Sequence, residues 1–182
     1  MCLTAFVLIF LLHGGLAVDF MVTNYTVDME AGYLCPENDQ LEIPMKLFRI
    51  DRINRTHRAM SMEFSYAHPV DETAEGVHLV ERWIAGGWKR FPMWSWQKDP
   101  CKFQLQHEKN GHIRFGKAMG LKHPDRCPIP AGNYSVMRFP FQLKYDYPFW
   151  PGRIRTIVMS RRIATKQLIF CVMTILNVVE KV

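Results

Sequence analysis

The chain of 182 residues predicts an all-β fold, two sheets packed as a sandwich, on three observations. Apolar and polar residues alternate through several separate stretches, and turn-forming residues punctuate them at short intervals. No internal repeat, low-complexity tract or shift in composition marks a linker, so one domain suffices.

The first segment, Leu3 to Leu12, is almost wholly apolar and uncharged, and His13-Gly14-Gly15-Leu16-Ala17 follows it. Small residues at Gly15 and Ala17, three and one positions before a cut, are the layout of a secretory signal peptide, here residues 1–17. An uncleaved anchor is the alternative, but a spanning helix needs about 20 apolar residues and this run is shorter. The mature chain is then residues 18–182, a single domain in the extracellular space, long enough to bury a core.

From Leu41 to Tyr66 the period is two: Met60, Met62, Phe64 and Tyr66 occupy every second position, which predicts strands with one buried face. Asp51 to His57 is polar and reads as the tip of a hairpin. Val77 to Lys89 is a third extended stretch, with Val77, Leu79 and Glu81 on one face and His78, Val80 and Arg82 on the other, ending at Gly86-Gly87. Trp88, Phe91, Met93, Trp94 and Trp96 follow closely, a density of rings that must pack against something. Between Cys101 and Cys127 lies a polar excursion, read either as a short helical or irregular insert or as a hairpin closed by Asn110-Gly111. Strands resume at Tyr134 to Leu143, Ile154 to Met159 and Leu168 to Val178, the last too short and too interrupted by Thr174 and Asn177 to span a bilayer.

The five cysteines become four once Cys2 leaves with the signal peptide, and in an oxidising compartment four imply two disulfides, with three pairings open. No two of them form a Cys-x-x-Cys pair, which argues against zinc, and no other metal or cofactor is expected. Asn24, Asn54 and Asn133 stand in Asn-x-Ser/Thr triplets and are candidate glycosylation sites. The net charge of +6 serves colloidal solubility, or attraction to anionic lipid or glycan surfaces, whereas nucleic acid is not a partner outside the cell.

Catalysis finds little support. The histidines after the leader, His57, His68, His78, His107, His112 and His123, are scattered, without metal-binding spacing, and are expected to be solvated; no nucleophile elbow or phosphate loop is present. Asp71, Glu72 and Glu75 read as an exposed turn, where a carboxylate pair gains no useful pKa shift. The remaining constellation is apolar: Met60, Met62, Phe64, Trp83, Trp88, Phe91, Trp94, Trp96, Phe139, Phe141, Phe149 and Trp150, among eleven methionines in the chain. Such a set fills a core, or lines a site for varied apolar ligands.

Cys127-Pro128-Ile129-Pro130-Ala131-Gly132-Asn133-Tyr134-Ser135-Val136 resembles the Cys-Pro-x-x-x-Gly-x-Tyr hairpin of ganglioside-activator-like proteins in the ML lipid-recognition superfamily, especially its insect CheA-type chemosensory branch. Pro148-Phe149-Trp150-Pro151-Gly152-Arg153-Ile154-Arg155 is similar to that family's lead-in to the next strand, and the order continues to Cys171. The resemblance is clearest over the C-terminal third. It implies an immunoglobulin-like sandwich opened into a cup with an apolar cavity, Cys35 paired with Cys171, and Cys101 with Cys127. Ganglioside activators carry further disulfides for which this chain has no cysteines, so their particular substrate and enzyme partner do not carry over.

The resemblance turns the aromatic and methionine set into ligand lining: Met60, Met62, Phe64, Trp83, Trp88, Phe91, Trp94, Phe139, Phe141, Phe149 and Trp150. The function it implies is a secreted, non-enzymatic carrier or presenter of a hydrophobic small molecule or lipid, in an insect a lipid-like pheromone, with a membrane receptor or an anionic lipid surface as a further contact. Arg153, Arg155, Arg161 and Arg162 then either face a headgroup or solvate an edge strand. A protein-binding accessory factor with a filled core is the alternative.

Overall fold

The computed structural model describes residues 21–54, 57–91, 96–140 and 149–181. The expected leader 1–17, Cys2, Trp94 and Phe141 lie outside the described residues. Nine strands follow in chain order: β1 (Tyr25–Leu34), β2 (Leu47–Arg52), β3 (Arg58–Tyr66), β4 (Ala74–Ile84), β5 (Gly87–Phe91), β6 (Gln97–Lys98), β7 (Gly132–Pro140), β8 (Gly152–Arg162) and β9 (Leu168–Glu180). Two antiparallel sheets result, a long one in the order β1-β9-β8-β4-β5 with β6 also on β4, and a short one in the order β2-β3-β7. The fold is an all-β sandwich, as the alternation predicts.

The sheets meet along side chains that register fixes. On β3, Met60, Met62 and Phe64 are buried and Tyr66 is half-buried on one face, as the period of two predicts, but Ala59 and Ser61 on the other face are buried as well. Directly across from them stand Ile50 and Phe48 on β2 and Phe139, Val136 and Tyr134 on β7. The long sheet answers with Met29, Leu34, Val80, Ile154, Val158, Val172 and Leu176. Phe64 reaches Phe170 of β9 at 5.8 Å, edge to face. Gly32 on β1 lies so close to β2 that a Cβ there would sit 2.9 Å from both Ile50 and Phe48.

Disulfides join Cys35 to Cys171 and Cys101 to Cys127, the pairing that the family resemblance implies. The first ties the end of β1 to its neighbour β9, where Leu34 already faces Val172. The second closes the excursion, which is helical: α1 (Pro100–His107) and α2 (Lys109–Ala118). Asp99 caps α1 by accepting from the Lys102 amide at 3.1 Å, and Pro100 occupies the first turn, where it costs no hydrogen bond. Asn110-Gly111, the alternative hairpin signal, sits inside α2. Phe115 and Met119, four apart, turn one face of α2 to the core, and Gly116 lets Pro124 approach where a Cβ would lie at 2.7 Å.

β8 is a central strand, so its arginines do not solvate an edge. Each meets a carboxylate: Arg153 with Glu30 at 2.8 Å, Arg155 with Glu81, Arg161 with Glu75 at 2.7 Å and Arg162 with Glu42 at 3.1 Å. Glu75 opens β4 rather than belonging to a loop, and it also binds Lys166 at 3.0 Å. Among the described residues no helix is long and apolar enough to cross a membrane.

Candidate functional site: the inner wall of the long sheet

The long sheet outreaches the short one. β2 stands over β1 and β3 reaches β9, so the part of the inner wall formed by β4 and β5 lies towards the opposite side of the sandwich, where the helices pack. Gly76 of β4 marks the helical contact, because a Cβ there would lie 3.1 Å from Pro100. The rest of this wall is built by register: Val80 pairs with Thr156 on β8 and Phe91 on β5, and His78 with Val158.

Phe91 stacks on Trp150 at 4.7 Å, Trp150 meets Phe149 edge to face at 6.4 Å, and buried Phe149 packs with Val80, Ile154, Leu176 and Val178. An isolated bridge to Val22, with backbone hydrogen bonds of 2.7 and 2.9 Å, holds Phe149 in place. Phe139, half-buried on β7, takes the edge of Phe115 from α2 at 5.5 Å.

Of the aromatic and methionine set, Met60, Met62, Phe64, Phe139 and Phe149 belong to or pack against the core between the sheets, and Phe91 and Trp150 adjoin it. Trp83 and Trp88 pair with each other at 5.2 Å on the opposite face of the long sheet. Trp83 is 44% exposed, and Trp88 lies under the guanidinium of Arg155 at 4.8 Å; Trp96 takes Arg161 in the same way at 3.7 Å. The dense tryptophan run is thus met partly by arginines of β8. Trp94 and Phe141 lie outside the described residues.

Polar groups also lie on the inner wall, outside that set. Thr156 and Thr174 face each other on β8 and β9, and their hydroxyls hydrogen bond at 2.5 Å. His78 is different: its Nε2 is enclosed and has no hydrogen-bond partner. Burial pushes its pKa down to about 4, so the ring is neutral at physiological pH. An enclosed polar atom left unpaired costs about 1–3 kcal/mol. His112 is also buried, with Nδ1 3.0 Å from Gln104 Oε1 and Nε2 4.0 Å from Cys101 Sγ. Two of the histidines expected in solvent are therefore interior. For His78 the signal was present in the alternation with Val80, but Val77 and Leu79 make the other face look the more apolar.

An open depression of about 460 Å3 lies elsewhere, lined by Glu42, His68, Thr73, Arg162 and Gln167 among others. Arg162 is spent there on Glu42 and on the carbonyls of His68 and Pro69, at 3.1, 3.2 and 2.9 Å. Hydrogen bonds from the Thr73 hydroxyl and amide hold the Asp71 carboxyl below its usual range, and Lys166 and Arg161 do the same for Glu75. Among the described residues one cluster of three metal-ligating types occurs, Cys35, Glu37 and Cys171, and both its sulfurs are bound in the disulfide.

The hairpin behind the family resemblance is internally braced. The Tyr134 hydroxyl donates to the Pro130 carbonyl at 2.6 Å, and Ile129 bridges to Val70. Neither a protein-family model nor a curated protein sequence matches the chain.

Proposed function

We propose that this protein is a secreted, non-enzymatic carrier or presenter of a hydrophobic ligand, a lipid or lipid-like pheromone acting in contact chemosensation. The observation that carries the reading is the inner wall of β4 and β5, where Val80, Phe91, Phe149 and Trp150 gather beside an unpartnered imidazole. A molecule too insoluble to diffuse freely gains about 0.8 kcal/mol for each methylene it buries against such a wall. The paired disulfides and the apolar leader support export to an oxidising compartment. Asn24, Asn54 and Asn133 are exposed, as glycan acceptors must be. The resemblance to the ML lipid-recognition superfamily supports the same reading, with the sandwich as the cup.

The test is expression of the full chain through a secretory pathway, followed by native mass spectrometry and lipid extraction. A co-purifying apolar molecule and saturable quenching of tryptophan fluorescence by long-chain ligands are expected. Absence of both sinks the reading.

One observation favours the alternative, an accessory factor that binds another protein. Tyr33, Met173, Ile157 and Leu79 form a single cross-strand row over β1, β9, β8 and β4, on the face turned away from the short sheet. Tyr33 at its end is 47% exposed. A partner would cover this row. Replacing Tyr33 and Met173 with serine would then abolish partner capture and leave ligand binding untouched.

A further inference from the structure

We infer that the ligand is not a plain hydrocarbon but a long chain bearing one neutral oxygen function, an alcohol, ketone or ester, and that His78 is the residue that receives it. The inference rests on the carrier reading and narrows its ligand class.

On the inner face of β4, His78 Nε2 is enclosed without a hydrogen bond, as is one terminal nitrogen, Nη1, of Arg82. The hydroxyls of Thr156 and Thr174 satisfy each other. Arg82, on the same face of β4 as His78, already has a partner of its own. His78 projects one row beyond the threonine pair, on the side away from Arg82, in register with Val158 and in a row that Val172 and Leu34 continue, and aliphatic neighbours offer no hydrogen bond. A neutral imidazole carries one N–H and one lone pair. An alcohol oxygen complements either nitrogen, since it both donates and accepts, and a carbonyl oxygen complements the N–H.

The charge state selects against an acid. Burial holds the ring neutral at physiological pH, so no cation waits at this position. A carboxylate docked at His78 would bring a charge against a neutral ring, and the backbone of Arg82, the cation on this face, stands four residues along the strand, roughly 13 Å away. A plain alkane would leave Nε2 as bare as before. A neutral oxygen alone repairs the defect without creating another.

The full secreted protein should be titrated with dodecanol, methyl dodecanoate, dodecane and dodecanoate at pH 7.5, by displacement of N-phenyl-1-naphthylamine. Dodecanol and the ester are expected to bind at least tenfold more tightly than dodecane and dodecanoate. His78→Leu should bring dodecanol down to the level of dodecane while dodecane itself is unchanged or improved, and His78→Gln should keep part of the preference. In protein labelled with 15N at histidine, dodecanol should shift the His78 imidazole resonances and dodecane should not, a readout that does not depend on the variants folding. Equal binding of alkane and alcohol, preference for dodecanoate, or a preference that survives His78→Leu would overturn the inference and leave the carrier reading standing. If none of the four displaces the probe or binds directly, the carrier reading falls, and the inference with it.

Discussion

Thr156 and Thr174 sit directly opposite each other on neighbouring central strands, and their hydroxyls share a 2.5 Å hydrogen bond on the inner face of the long sheet. Removing either hydroxyl takes away the other's partner, leaving a half-buried oxygen at Thr174 or a buried one at Thr156. Thr156→Val should therefore cost about 1–2 kcal/mol, whereas the double change to valine should be nearly neutral. Urea midpoints of the two single variants and the double variant decide it; additive losses would mean that the pair is not the unit.

Gly32 matters for space, since its φ is ordinary and the approach of β2 is what excludes a side chain. An alanine Cβ would lie 2.9 Å from Ile50 Cγ1 and Phe48 Cε1, atoms packed at the seam between the sheets. Gly32→Ala should lose about 1–3 kcal/mol from this overpacking. Ile50→Val opens room on one side, so the double-mutant cycle should show a favourable coupling of about 0.5–1 kcal/mol. Zero coupling would place the strain somewhere else.

How far the sequence could be read follows from which forces act locally. The period of two at Met60, Met62, Phe64 and Tyr66 marks the face of β3 that packs into the core, while the small residues Ala59 and Ser61 let the other face be buried without any apolar signal in the sequence. The C-terminal run Leu168 to Val178 becomes β9, a central strand in which no residue of the run is exposed on either face, which matches its lack of a polar face. The two helices were ambiguous, because Asn110-Gly111 is a strong hairpin signal locally and only the Asp99 cap and the Gly116 contact with Pro124 overrule it. The arginines of β8 misled for a different reason. Four cations on one strand look like a solvated edge until Glu30, Glu81, Glu75 and Glu42, from two other strands and a loop, are brought against them. Those pairings are non-local, and no spacing in the sequence records them. The tryptophans divide for the same reason, since Trp88 and Trp96 find arginines that only β8 supplies.

The two disulfides should differ in worth. Cys35 and Cys171 are 136 positions apart, Cys101 and Cys127 only 26. In the chain-entropy model the longer loop contributes about 5 kcal/mol and the shorter about 3.5 kcal/mol. Replacing each pair with alanine should lower the thermal midpoint more for Cys35 with Cys171. The reverse order would point to the helices as the less tolerant part of the fold, since losing the Cys101 bridge frees the polar excursion.

His78 gives the fold a dependence on pH whose sign is fixed by its surroundings. Its folded pKa, about 4, lies below the ordinary 6.5, so between these values the unfolded chain holds a proton that the folded one refuses. Stability is accordingly highest above pH 6.5, falls as pH is lowered from there towards 4, and levels off below. At about 1.4 kcal/mol per unit the loss amounts to at most ~3.5 kcal/mol, and any water reaching the ring reduces it. His78→Gln cannot take up this proton. Urea midpoints measured from pH 7.5 to 4.5 should fall more steeply in the wild type than in the variant, with the gap opening below pH 6.5. Parallel curves would show that the imidazole reaches solvent in the folded state.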